Sequence, residues 1–176
     1  MPPSLGWAVM TIALGYVFLV SWALWIGAIV FFLFVVAPTA FRTLEVEDAG
    51  KLMRALFPHY YLAGLVCGGF GLLSGGSLMA MRFWPWKGGS TVLALLFGMM
   101  VVAFWARQRL VPRMNSLRDE AHEAREDEND DVREDVLSRW QRLHRLSVRL
   151  NLLVLLLGLA AGWAWLSCWL VLPGRY

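Results

Sequence analysis

Long stretches without any charged residue divide this chain into four apolar segments. Residues 1–41, 55–81, 88–106 and 150–174 contain no Asp, Glu, Lys or Arg. The shortest of these runs has 19 residues and the longest has 41. Because about 20 helical residues cross a hydrocarbon core of about 30 Å, each run is long enough to span a bilayer. The pattern predicts an all-α integral membrane protein, a bundle of four transmembrane helices.

Prolines and charged residues set the predicted ends of these helices. We expect spans over about 7–37, 60–81, 90–111 and 149–172. Pro38 and Pro112 are predicted to stop the first and third helices, because proline lacks the backbone N–H and its ring clashes with the preceding turn. The charged segment 114–139 holds the turn-forming run Asn129-Asp130-Asp131 and is predicted to be a cytoplasmic helical hairpin. All 176 residues then form one membrane domain.

The distribution of basic residues predicts the orientation in the membrane. The first and third loops carry 13 of the 16 Lys and Arg residues, and the other side carries only Arg82, Lys87 and Arg175. Because short loops rich in Lys and Arg stay in the cytoplasm, both termini are predicted to lie outside it. We therefore expect a multi-pass protein of the inner (cytoplasmic) membrane, with the lipid bilayer as a partner. The net charge of +3 comes from these orienting residues, so we expect no nucleic-acid partner.

The second apolar segment is rich in glycine. Gly64 and Gly68, and likewise Gly71 and Gly75, are four residues apart. Small residues at this spacing let two helices approach closely in lipid. We interpret them as helix-packing positions, with a flexible or substrate-facing backbone as the alternative.

Four side chains form a stripe at the start of the fourth helix. Trp140, His144, Ser147 and Asn151 are spaced by 4, 3 and 4 residues, which at about 100° per residue keeps them within a stripe about 60° wide. Asn151 lies just inside the apolar run and is expected to face protein, because an unpaired amide is costly in lipid.

Other polar side chains are predicted at the same depth. They supply imidazole, hydroxyl, amide and guanidinium groups, and they are His59, Tyr60, Tyr61, Arg42, Arg107 and Gln108. Together with the stripe they form a candidate ligand-binding site at the cytoplasmic mouth of the bundle, suited to an anionic or planar polar ligand. The alternative is structural, because interhelical hydrogen bonds contribute about 0.6 kcal/mol each to helix packing.

The chain lacks the sequence motifs of common enzymes. It contains no phosphate-binding loop, serine nucleophile motif or zinc-ligand spacing. Cys67 and Cys168 lie in apolar runs and form no CxxC motif. We expect a protein that is not an enzyme, with no catalytic residues, metal site or cofactor.

Three segments carry a resemblance to a known family: Phe31–Arg42, Leu56–Tyr61 and Leu143–Asn151. They are similar to the transmembrane protein 205 family, whose bacterial members carry domain of unknown function 4149. The likeness covers roughly residues 19–156, and the segment with His144, Ser147 and Asn151 is its most specific part. The resemblance implies a four-helix integral membrane protein and leaves its activity open.

A looser similarity is to copper-resistance D membrane domains and the membrane protoporphyrinogen oxidase. It rests on the helix count and on Trp25-Ile26-Gly27 at the start of a span. The first apolar run contains no His, so this chain departs from those proteins where a haem ligand would be needed.

These observations leave three hypotheses. The first is a membrane protein that binds or passes a small ligand at the cytoplasmic mouth. The second is a membrane assembly or interaction factor whose charged hairpin docks a membrane or cytoplasmic protein. The third, a haem- or copper-related membrane protein, has the weakest support.

Overall fold

The computed structural model describes residues 5–170, and 94% of them are helical. They form four long helices: α1 (Leu5–Thr43), α2 (Val46–Ala80), α3 (Trp86–Glu126) and α4 (Asp130–Leu170). Each is long and apolar enough to cross a membrane. The predicted all-α fold with four candidate spans is confirmed. Positions 171–172 of the predicted fourth span, and Arg175, lie outside the described residues.

The four helices pack as an up-and-down bundle. Each helix contacts the next one in the chain, and α1 also contacts α4. Short connections make consecutive helices antiparallel. The fully buried side chains Ile29, Leu78, Leu96 and Met99 lie between the helices.

The predicted helix ends at Pro38 and Pro112 are wrong. Both helices continue through the proline, and a π-helical turn ends two residues before each one, at Phe32–Val36 and Ala106–Leu110. The N–H of the residue before each proline donates to the carbonyl five residues earlier. This wider turn makes room for the proline ring beside the carbonyl that it would strike in a regular α-helix.

The helices also begin earlier than the apolar runs suggested. Helix α2 starts at Val46 and runs through Pro58, although the sequence predicted a start near Tyr60. Helix α3 starts at Trp86 instead of near Ser90. At the starts of α2 and α3, the charged residues belong to the same helix as the apolar segment that follows them, and their side chains remain exposed. Each helix is therefore longer than its charge-free run.

Helices α3 and α4 extend past the apolar segments and meet in a turn at residues 127–129. This turn lies two residues before the predicted one, because Asp130 and Asp131 already belong to the first turn of α4. The side-chain oxygen of Asn129 accepts a hydrogen bond from the Val132 N–H at 3.3 Å, which caps the start of α4.

The packing interpretation of the glycines is confirmed at three positions on α2. A Cβ atom at Gly64 would lie 2.6 Å from Trp25 Nε1, and one at Gly68 would lie 2.6 Å from both Trp25 and Met100. A Cβ at Gly75 would lie 2.9 Å from a methyl carbon of Leu93. These glycines let α2 approach its neighbours more closely than alanine would allow.

Candidate functional site

A cleft opens where the hairpin end of α3 and α4 joins the rest of the bundle. The cleft is open on one side. All four helices line it, with the following residues: Phe32, Leu33, Ala37, Phe41, Met53, Arg54, Phe57, Val111, Met114, Asn115, Arg118, Trp140, His144, Ser147, Val148 and Asn151. Ala37 and Val111, the residues that directly precede Pro38 and Pro112, both belong to this lining.

The predicted stripe of α4 forms one wall of the cleft. Trp140, His144, Ser147 and Asn151 all line it. The rings of Trp140 and His144 stack with their centroids 5.1 Å apart and only 8° between their planes. Ser147 and Asn151 are buried, so Asn151 faces protein, as expected.

Two tyrosines of α2 meet the inner end of the stripe. The Tyr60 hydroxyl donates a hydrogen bond to Asn151 Oδ1 at 3.2 Å, and its ring stacks on Phe32 at 4.6 Å. The Tyr61 hydroxyl is buried beside Ser147 and Asn151, but among the described residues it makes no hydrogen bond of regular geometry. Both tyrosines therefore lie next to the stripe, and their role in ligand binding stays a prediction.

The structure adds Arg118, which the sequence reasoning missed. Its Nη1 donates to the Gly50 carbonyl oxygen at 2.6 Å, and its guanidinium carbon lies 5.1 Å from the centroid of the Trp140 ring. A Cβ at position 50 would come within 2.9 Å of this Nη1, so the glycine makes room for the guanidinium. Val111, Met114 and Arg118 follow a helical spacing of 3 and 4, a signal hidden by the expectation that Pro112 ended the helix.

Six of the predicted site residues do not line the cleft: His59, Tyr60, Tyr61, Arg42, Arg107 and Gln108. His59 is exposed, and its Nδ1 lies 3.0 Å from the carbonyl of Ala55 in its own helix. Helix α1 continues past Pro38, which leaves Arg42 exposed in its last turn while Phe41 lines the cleft. Arg107 and Gln108 lie in the π turn, where Ala106 and Leu110 are the buried residues instead.

Electrostatics at the mouth of the cleft favour a neutral imidazole. His144 lies outside the four charge-free runs, and its pKa is lowered by burial and by the nearby positive charges of Arg118 and Arg145. A neutral imidazole has one N–H donor and one acceptor nitrogen. His144 therefore offers a hydrogen-bonding group at neutral pH, and Arg118 supplies the charge next to it.

The cleft offers few kinds of polar side chain to a ligand. Arginine, imidazole, hydroxyl and amide groups face a lining that is otherwise aromatic and aliphatic. Within residues 5–170, no three His, Cys, Asp or Glu side chains are close enough together to hold a metal ion. The arrangement is suited to holding a ligand with one polar end.

Fold and site together define a class: a small helical protein with four candidate membrane spans and a mixed polar and apolar cleft at one end of the bundle. The family model described as Domain of unknown function (DUF4149) matches residues 20–123, more than half of the chain. The chain belongs to this family. The matched region includes Arg118 but ends before α4, so the stripe lies outside it. Comparisons with curated proteins and with solved structures gave no match.

Proposed function

We propose that this protein is a multi-pass protein of the inner membrane that binds or passes a small ligand in the cleft without catalysing a reaction. In this proposal both termini lie outside the cytoplasm and the α3–α4 hairpin lies inside it. The excess of Lys and Arg around the hairpin and the first loop supports this orientation.

The outward surface of the bundle supports insertion into lipid. Large apolar side chains on all four helices face away from the bundle, among them Phe34, Leu73, Phe97 and Trp163, which are 60 to 76% exposed. Soluble monomers rarely expose contiguous apolar patches of this kind. A bilayer would cover this surface.

The observation that carries the binding proposal is an open cleft whose walls combine apolar side chains with a few polar groups. Arg118, His144, Ser147 and Asn151 line it among aromatic and aliphatic side chains. Ligand sites in proteins are typically apolar clefts with a small number of polar groups that fix the orientation of the ligand. A small molecule with a polar end would fit such a cleft.

Native mass spectrometry of the full chain tests this proposal. The protein would be extracted from its own membrane into a mild neutral detergent, and bound small molecules would be identified by mass. We expect one small molecule per chain in the wild type and its loss in Ala37→Leu, which fills the cleft from α1. Ala63→Leu, at an exposed position of α2, is the matched control and should retain the ligand. Equal retention by both variants, or no ligand in any preparation, contradicts the proposal.

A second candidate function uses the charged end of the hairpin to dock a protein partner. Glu126, Asp127 and Glu128 are exposed at the turn between α3 and α4, which leaves their charges available to a basic surface. The triple variant Glu126→Gln, Asp127→Asn, Glu128→Gln leaves the cleft residues intact. This candidate predicts that the variant loses the proteins that co-purify with the wild type, and unchanged co-purification counts against it.

The likeness to transmembrane protein 205 and to copper-resistance D domains remains a prediction. A haem- or copper-related role predicts a visible absorption band or bound copper in the purified protein. A colourless preparation free of metal would remove this third candidate.

A further inference from the structure

One guanidinium that faces the cleft has no acidic partner among the described residues. Arg118 is held by the Gly50 carbonyl oxygen and by the face of the Trp140 ring, both of which are neutral. The carboxylate next to it in sequence, Asp119, is bound at both oxygens by Arg54 at 2.6 Å. Arg118 is therefore positioned by neutral groups while its charge stays available to a ligand.

The charged groups that line the cleft are all cationic. They are Arg54 and Arg118, beside the neutral imidazole of His144, and the lining contains no Asp or Glu. Arginine presents five N–H donors in a planar fork that matches a carboxylate or a phosphate. Since the bond to Gly50 uses only one nitrogen, the remaining N–H groups can bind an anion.

Away from Arg118, the cleft is largely apolar. Phe32, Phe41 and Phe57 contribute aromatic rings from α1 and α2, and Met53 and Val111 add aliphatic surface. Along α4, the wall from Trp140 to Asn151 is about 16 Å long at about 1.5 Å per residue. The cleft thus has a cationic end at the hairpin and an apolar body that reaches into the charge-free part of the bundle.

We propose that the cleft binds an amphipathic anion, with a single carboxylate or phosphate monoester head group on Arg118 and an apolar chain along Phe32, Phe41 and Phe57. This inference rests on the proposed function and names the chemical class of its ligand. The imidazole of His144, stacked on the same indole ring as the guanidinium, presents a second donor at the head-group end.

Binding of defined amphiphiles to the full chain in a neutral detergent tests this class. The probes are dodecanoate and dodecyl phosphate, with dodecanol as the uncharged chain and inorganic phosphate as the head group alone. We expect both anions to bind at least about tenfold more tightly than dodecanol, the size of effect typical of a hydrogen bond to a charged group. Inorganic phosphate alone should bind more weakly than dodecyl phosphate, because it lacks the chain.

Two variants locate the head group. Arg118→Gln should weaken the binding of both anions at least about tenfold and that of dodecanol less than twofold. Arg125→Gln removes an exposed arginine of the same helix and should behave as the wild type. Asn115→Asp provides an independent check if Arg118→Gln does not fold. It adds a carboxylate to the lining with little change in volume, and it should weaken anion binding while strengthening that of dodecyltrimethylammonium.

The ligand could come from the bilayer or from solution, and competition separates these sources. With the protein in phosphatidylcholine nanodiscs, displacement of dodecyl phosphate by added phosphatidic acid would identify the ligand as a membrane lipid. Displacement only by single-chain anions would identify a free amphiphile. Either result supports the inference.

Dodecanol binding as tightly as the two anions would overturn the inference, as would anion binding unchanged in both Arg118→Gln and Asn115→Asp. If native mass spectrometry still found a ligand that depends on Ala37, the proposed function would stand with a ligand of another class. Absence of both that ligand and any saturable probe binding would reject the inference and the proposed function together.

Discussion

Tyr60 and Tyr61 are adjacent in sequence, yet their hydroxyl groups have opposite hydrogen-bonding states. Tyr60 reaches Asn151, while the buried hydroxyl of Tyr61 makes no hydrogen bond of regular geometry in the described part of the chain. Consecutive helical residues point about 100° apart, so each ring meets a different part of the α4 stripe. The two positions form a matched pair for measuring what one interhelical hydrogen bond contributes to stability.

Tyr61→Phe is expected to leave the free energy of unfolding unchanged or to raise it, because it removes an unpaired buried hydroxyl. Tyr60→Phe should lower it by about 0.6 kcal/mol, the typical value for an interhelical hydrogen bond in a membrane protein. Reversible unfolding of the ligand-free protein in mild detergent measures both values. A greater loss for Tyr61→Phe than for Tyr60→Phe would contradict the assignment of the unpaired hydroxyl.

At the same scale, sequence spacing predicted the stripe correctly and missed Arg118. The positions of Trp140, His144, Ser147 and Asn151 could be inferred because α4 is an uninterrupted helix. Arg118 lies beyond Pro112, and nothing in the sequence showed that a π turn carries the helix through that proline. Its contact with Gly50 joins residues 68 positions apart, a proximity that local patterns do not encode.

At the scale of helices, glycine decides how closely α2 packs. Gly68 and Gly69 are neighbours on this helix, but only Gly68 faces Trp25 and Met100, and nothing lies within 4 Å of a Cβ built at Gly69. The contrast shows which glycines serve packing, a distinction that composition alone leaves open.

Gly68→Ala should destabilise the protein by about 1–3 kcal/mol, because the added methyl group would overlap tightly packed side chains. Gly69→Ala is the matched control, and it should be neutral or stabilising by up to about 1 kcal/mol, since alanine favours a helix over glycine. Unfolding midpoints in detergent compare the two variants. Equal effects would mean that α2 does not approach α1 and α3 as closely as described.

The two π turns also belong to this scale, because they carry each helix past its proline. Deletion of Gln108, an exposed residue of the second π turn, would restore a regular α-helical turn, in which the ring of Pro112 clashes with the carbonyl four residues earlier and bends the rest of α3. Arg118 would then leave the cleft, and Asp119 would leave Arg54. We expect circular dichroism to show retained helix while the thermal midpoint falls and amphiphile binding is lost. Normal anion binding by this variant would contradict the positioning role of the π turn.

At the scale of the whole molecule, the charge-free runs correctly predicted four long helices. Their true lengths were harder to predict, because a helix continues after its side chains become polar and two of the prolines are bridged by π turns. The bounds of the membrane and its orientation remain predictions from charge. Within the bundle, the hairpin is tied to α2 by the paired charges of Arg54 and Asp119.

The Arg54–Asp119 pair predicts a small pH-dependent contribution to stability. Asp119 lies outside the charge-free runs, and the hydrogen bonds from Arg54 lower the pKa of its carboxyl group below the ordinary value of 3.8. A lowered folded-state pKa means that the contribution is present above pH of about 4 and is lost as the pH falls through the lowered value. Because the pair is half-exposed, the difference in unfolding free energy between wild type and Asp119→Asn should be under about 1 kcal/mol. A difference that persisted undiminished below pH of about 3 would contradict this assignment.

Cysteine labelling in oriented vesicles tests most directly whether a ligand-binding cleft opens to the cytoplasm. Asn115→Cys, introduced into a Cys67→Ser, Cys168→Ser background, places a thiol in the lining, and Ser116→Cys places one beside it but outside the lining. We predict that a membrane-impermeant maleimide labels both variants only in inside-out vesicles, and that the ligand recovered from the native membrane slows labelling of the Asn115→Cys variant alone. Labelling of either variant in right-side-out vesicles would contradict the claim that a ligand-binding cleft opens to the cytoplasm. Equal labelling rates of Asn115→Cys with and without the ligand would contradict it as well.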